Sequence, residues 1–125
     1  MQPKALERPK GPYSQAIKAT GETLLFISGQ TPLDSRGRLV GKGDPSAQTR
    51  QVIENLSSIL ETAGGKLDDI VKTTVYITDL DHFQSISAVR KGYFKMPYPA
   101  STLLVVKSLY RKDILVEIDA IAVLK

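Results

Sequence analysis

Two carboxylates one residue apart, Glu117 and Asp119, lie inside an apolar run that extends from Leu115 to Val123. Alternate side chains of a strand share a face, so the two acids stand together while Val116, Ile118, Ala120 and Ala122 point the other way. Ile121 and Val123 fall on the same side as the acids, which suits a covered cleft better than an open surface. A carboxyl placed beside apolar residues has its pKa raised and can exchange a proton with water. Glu117 is therefore the candidate water-handling group, with a solvent-facing carboxylate or a structural ion pair as the plainer alternative.

Other chemistries are closed off by composition. The chain has no Cys and one His, His82. Disulfides, thiolate nucleophiles, sulfur-ligated zinc and multi-His metal sites are thereby excluded, and His82 reads as a surface or helix-capping residue. No metal and no cofactor is expected. Of 125 residues 42% are hydrophobic and the formal charge is +4, as in one folded domain spanning residues 1–125. The positive charges are scattered, as on a solvated surface. With 6% aromatic residues, no Trp and no His pair, the chain lacks the stacking strand and cleavage groups of an RNA enzyme. Its polar start is not a secretory signal and no apolar run approaches membrane-spanning length, so a cytoplasmic location is expected, with no membrane partner.

The elements that must position the acids follow from periodicity. Tyr13 to Ala19 and Thr23 to Ser28 read as two extended runs joined around Gly21 in a hairpin, with a short third strand at Leu39 to Val40. Asp44-Pro45 is a helix start, because Asp caps free N–H groups and Pro gives up one that would go unpaired. Val52, Leu56, Ile59, Leu60 and Ala63 form an apolar stripe, and Gly64-Gly65 ends it. Gln48, Gln51 and Asn55 are assigned to helix surface or subunit contacts. Val71, Thr73, Val75 and Ile77 alternate on one face of a half-buried strand. A second helix carries Phe83, Ile86, Val89 and Phe94 inward, and two further strands cover Thr102 to Val106 and Leu115 to Val123. The predicted class is α+β, a mixed sheet with two helices packed on one face. Two helices cover one side only, so self-association is expected to cover the other.

Several strings then fall into a known order: Gly11-Pro12-Tyr13-Ser14-Gln15-Ala16, Ser28-Gly29-Gln30-Thr31-Pro32-Leu33, Val71-Lys72-Thr73-Thr74-Val75-Tyr76 and Val116-Glu117-Ile118-Asp119-Ala120-Ile121-Ala122. Across essentially its whole length the chain resembles the RidA family, also called YjgF. The resemblance implies a chorismate mutase-like fold, a homotrimer with clefts at subunit interfaces, and cofactor-free hydrolysis of 2-imino and 2-enamino acids to 2-oxo acids and ammonia. Other members have been called translation inhibitors or endoribonucleases. It further implies that Tyr13, Ser28 and Gly29 line the cleft, where a phenol, a hydroxyl and a backbone N–H meet a small acid.

One departure stands out against that pattern. The deaminases carry a carboxylate-clamping Arg in a Pro-Ala-Arg-Ser string, whereas this chain has Pro99-Ala100-Ser101-Thr102, and no Arg or Lys occurs from Pro99 to Val106. Losing a bidentate Arg weakens the grip on a carboxylate at least about tenfold. Ser101 and Thr102 suit a neutral or polar ligand better. The other cation within reach is Arg90, at a position the family usually gives to Tyr, with Ser87 where it has Asn. Three functions compete: a RidA-like hydrolase using Glu117, a non-catalytic trimer that binds a small metabolite or regulates a partner, and an RNA-binding translation inhibitor, against which the composition argues.

Overall fold

The computed structural model describes all residues 1–125, in the order β1 (Thr23–Gln30), α1 (Pro45–Thr62), β2 (Ile70–Ile77), α2 (Phe83–Tyr93), β3 (Ala100–Val105) and β4 (Val116–Leu124). The sheet runs β1-β4-β2-β3, with β4 antiparallel to both of its neighbours and β2 parallel to β3. A parallel pair needs a crossover, which α2 supplies. This is the mixed sheet and two-helix α+β arrangement that the sequence predicts. No helix is long and apolar enough to cross a membrane.

Local chemistry accounts for the helices. The Asp44 carboxylate accepts from the Ala47 N–H at 3.0 Å and Pro45 opens α1. Gly64, at φ +84°, takes the left-handed conformation that lets the chain leave the helix. Val52, Ile53, Leu56 and Leu60 of α1 and Ile86 of α2 are fully buried in one core with Val75, Ile77, Val116, Ile118 and Ala122 of the sheet. In β4 every second residue from Val116 to Leu124 is buried, which leaves Glu117 and Asp119 on the opposite face.

Two strand expectations are corrected. Tyr13 to Ala19 is not a strand and forms no hairpin with β1; the one ladder contact in it is a parallel bridge from Ser14 to Ala100, at the far edge of the sheet. The Ser14 N–H donates to the Pro99 carbonyl at 3.0 Å. Alternation shows that a segment can be extended but not which of the two sheet edges, β1 or β3, receives it. Leu39 to Val40 is likewise only a single bridge, from Leu39 to Leu33. In β2 a bulge between Ile70 and Lys72 resets the phase, so Ile70 is buried and Val71 half-buried.

The helix-free face of the sheet is apolar and open. Leu24 and Phe26 are 58% and 70% exposed and lie in register with Val123 and Ile121 of β4. This uncovered surface is the one that carries Glu117.

Of Gln48, Gln51 and Asn55, read from the sequence as helix surface or subunit contacts, Gln48 is instead a core residue and the other two are half-buried. Gln48 is fully buried, donates from Nε2 to the carbonyls of Gly41 (3.1 Å) and Asp113 (2.9 Å), and accepts from the Leu115 N–H at 2.8 Å. It thereby fastens α1 to the chain two residues ahead of Glu117. Asn55 donates to the carbonyls of Thr31 and Leu33, both at 3.0 Å, and accepts from Gln51 at 2.8 Å. Gln48→Ala is expected to cost about 3 kcal/mol, because three partly buried backbone groups lose their partners. Urea unfolding checks it; a loss under about 1 kcal/mol would mean that water replaces the amide.

Candidate functional site

Glu117 sits where β1 is irregular. The register passes from Ile27–Ala120 to Gln30–Ile118, so β1 spends an extra residue and Ser28-Gly29 fall in the bulge. The Glu117 side chain lies over Gly29: a Cβ there would strike the carboxylate and stand 2.9 Å from its Cδ. The absence of a side chain at Gly29 is what leaves room for the carboxylate in this position. On the other flank Tyr76 is the register partner of Glu117, and its hydroxyl donates to Asp119 Oδ2 at 3.1 Å. Burial, and secondarily the charge of Asp119, push the Glu117 carboxyl above the ordinary Glu value. The Tyr76 phenol is also raised, first by its hydrogen bond to Asp119.

A second group of residues lies on the helix-covered side, at the β3 edge. Arg90, in the last turn of α2, is only 5% exposed. Its guanidinium donates to Ser101 Oγ at 3.0 Å, and that oxygen also accepts from the Thr73 hydroxyl at 2.8 Å. Arg90 Nε and Ser87 Oγ are buried without partners. The ion pairs of the chain are Lys10–Glu7, Arg38–Asp34 and Arg111–Asp113, so no acid neutralises Arg90. Burial lowers its pKa to about 10, which leaves it charged at neutral pH. The guanidinium borders a cavity of about 700 Å³ whose walls include Tyr13, Phe83, Ser87, Ser101 and Leu103.

The sequence-predicted residues therefore divide into two groups. Tyr13, Arg90 and Ser101 meet at the cavity, whereas Ser28, Gly29 and Glu117 gather on the open sheet face. Thr102 does not join Ser101: neighbours on a strand point to opposite sides, and its hydroxyl accepts from Lys72 Nζ at 3.2 Å. Two further cavity residues carried a readable signal, since Phe83, Ser87 and Arg90 are spaced by four and three on one helix face. Thr73 carried none, because its place beside Ser101 depends on the β2–β3 register.

Comparison with known proteins agrees with this architecture. A family model described as Endoribonuclease L-PSP matches residues 4–124. A RutC family protein of Pyrococcus horikoshii is 48% identical over 115 residues, covering 92% of this chain and 89% of its own. The 2-iminobutanoate/2-iminopropanoate deaminase of Salmonella typhimurium is 40% identical over 116 residues, covering 90% of this chain and 88% of its own. Among solved structures, the Rid family protein YyfB of Yersinia pestis superposes with a TM-score of 0.84 at 29% identity, covering 95% of this chain and 97% of that one.

The raised carboxyl gives a pH prediction. The folded chain holds the Glu117 proton more tightly than the unfolded chain does. The resulting stability is complete below the ordinary Glu pKa and is lost as pH rises through the folded value. Asp119→Asn removes the like charge and should lower the Glu117 midpoint, followed by side-chain carboxyl NMR. Gly29→Ala should dislodge the carboxylate and shift the same resonance; a spectrum identical to wild type would show that the close approach does not hold it.

Proposed function

The chain belongs to the Endoribonuclease L-PSP family, the RidA/YjgF group, and from that premise we propose that it is a cofactor-independent hydrolase of small 2-imino or 2-enamino acids. The observation that carries the reading is the buried guanidinium of Arg90 on Ser101 Oγ, at the position where the deaminases have their Arg. The cation has moved from β3 to α2 and still arrives at Ser101. Against the expectation of a neutral ligand drawn from the missing Arg, this cation supports an anionic one. A buried charge without an acid is costly, and a substrate carboxylate relieves that cost by forming charge-assisted hydrogen bonds.

In this proposal the carboxylate binds Arg90 while Tyr13 and Ser87 bound the imine end. Glu117 belongs to the other face of the sheet, so the complete site takes a second copy of this one-domain chain, as in a homotrimer whose neighbouring subunits close the cleft. Glu117 removes a proton from water as its oxygen bonds to the imine carbon and passes that proton to nitrogen, then takes the hydroxyl proton of the resulting carbinolamine and delivers it to nitrogen as the C–N bond breaks and the carbonyl forms. The balance is R–C(=NH)–COO⁻ plus H₂O giving R–CO–COO⁻ plus NH₃. The Salmonella relative's name supports the substrate class. The non-catalytic reading stays in view because the two groups stand on separate faces of one protomer: a chain that stays alone would bind an acid through Arg90 without turning it over.

Ammonia release from 2-iminobutanoate generated in situ, with light scattering on the same sample, separates these readings. Wild type should be active as an oligomer. Arg90→Gln should raise KM about tenfold or more, and Glu117→Gln should lower kcat with little change in KM. The paired exchange Arg90→Tyr with Ser101→Arg, which restores the family's arrangement, should recover binding that Arg90→Tyr alone loses. Background rates for wild type, with 2-oxobutanoate still bound, would leave the binding protein. Failure of the exchange to rescue would mean that Arg90 serves only the fold.

A further inference from the structure

Beyond the single carboxylate anchor, the charge around the Arg90 cavity favours a ligand with two negative groups. Arg90 is not the sole cation bordering that cavity, for Lys10 also lines it, at the segment Lys10-Gly11-Pro12-Tyr13. A second cavity of about 340 Å³ shares Lys10, Gly11 and Tyr13 with the first and adds Arg8 and Lys91. Four cations thus border two adjoining cavities, and neither is lined by an Asp or Glu. Glu7 pairs with Lys10 at 2.8 Å, but the two side chains are 71% and 82% exposed. An ion pair that open to water holds its partners weakly, so Lys10 is free to turn to another anion.

The two kinds of cation are held differently. Arg90 is buried and locked on Ser101, suited to fix one carboxylate in place, while Arg8, Lys10 and Lys91 are exposed at the rim. A cavity of about 700 Å³ offers more room than a four-carbon acid needs, since sites for drug-sized ligands begin near 300 Å³. With low-dielectric walls, a rim of one sign also raises the local concentration of a dianion.

We propose that this protein prefers 2-imino acids bearing a second carboxylate, the α-carboxylate on Arg90 and the distal one on the rim formed by Lys10 and Lys91. The inference rests on the Arg90 anchor proposed above and adds the substrate's charge. The enzymes that supply it would be those that oxidise acidic amino acids at the α-carbon to their imines, and the product would be a 2-oxo dicarboxylate and ammonia.

Binding of three 2-oxo acids by calorimetry tests the idea: 2-oxoglutarate, its 5-methyl ester, which keeps the α-carboxylate but lacks the distal charge, and 2-oxobutanoate. In wild type 2-oxoglutarate should bind roughly tenfold more tightly than the ester, and the ratio should shrink as salt is raised. The double variant Lys10→Gln, Lys91→Gln changes exposed side chains, so it should fold normally, and in it the ratio should fall to about twofold or less. A ratio near one in wild type, or a preference that survives the double variant, would overturn the inference while leaving the Arg90 anchor intact. If none of the three acids binds, the anchor itself is refuted and this inference with it.

Discussion

A guanidinium buried without a carboxylate is the constraint around which the rest of this molecule is arranged. Arg90 is held by one hydroxyl, that of Ser101, which is oriented in turn by Thr73 from the next strand. Nothing in the protein neutralises it, and burial has already drawn its pKa down to about 10. Such a charge is tolerated only where the surrounding packing over-determines it or an outside anion completes it. The parallel pairing of β2 and β3 places Thr73 beside Ser101, and the last turn of α2 delivers the cation to both.

The sheet separates the two halves of the chemistry. One face is closed by α1 and α2, and at its edge lies the cavity of Arg90, Tyr13 and Ser101. The other face is open and apolar, and carries Glu117 over Gly29 with Tyr76 and Asp119 alongside. The same alternation that buries Val116, Ile118 and Ala120 presents the acid on the opposite side. Acid and cation cannot share a face within one protomer while β4 keeps its register and α2 stays packed on the core. The register of β4 is secured from a distance by Gln48, whose amide ties α1 to the backbone at Asp113 and Leu115.

Much of this was legible in the residues. The Asp44-Pro45 start, the stripe from Val52 to Leu60 and the strict alternation from Val116 to Leu124 each rest on interactions within a few positions, so local reading recovers them. The string around Glu117 located the acid and its face, and the substitution at Ser101 identified where the pattern departs from the family. Tyr13 to Ala19 misled because its partner, β3, lies more than eighty residues away. Gln48 misled because a polar residue on a helix is usually solvated, and two of the three groups it satisfies, at Asp113 and Leu115, come from more than sixty residues away.

By itself the sequence determined the start and end of α1, the inward face of β4 and the family to which these strings belong, since caps, periodicity and motifs are properties of neighbouring residues. Only the tertiary structure decided that Arg90 reaches Ser101, that Ser101 and Thr102 part company, and that Glu117 and Arg90 occupy opposite sides of the sheet. Those outcomes depend on strand register and on where a helix lies across a sheet. Both are set by pairing and packing between segments far apart in the chain, which local spacing does not encode.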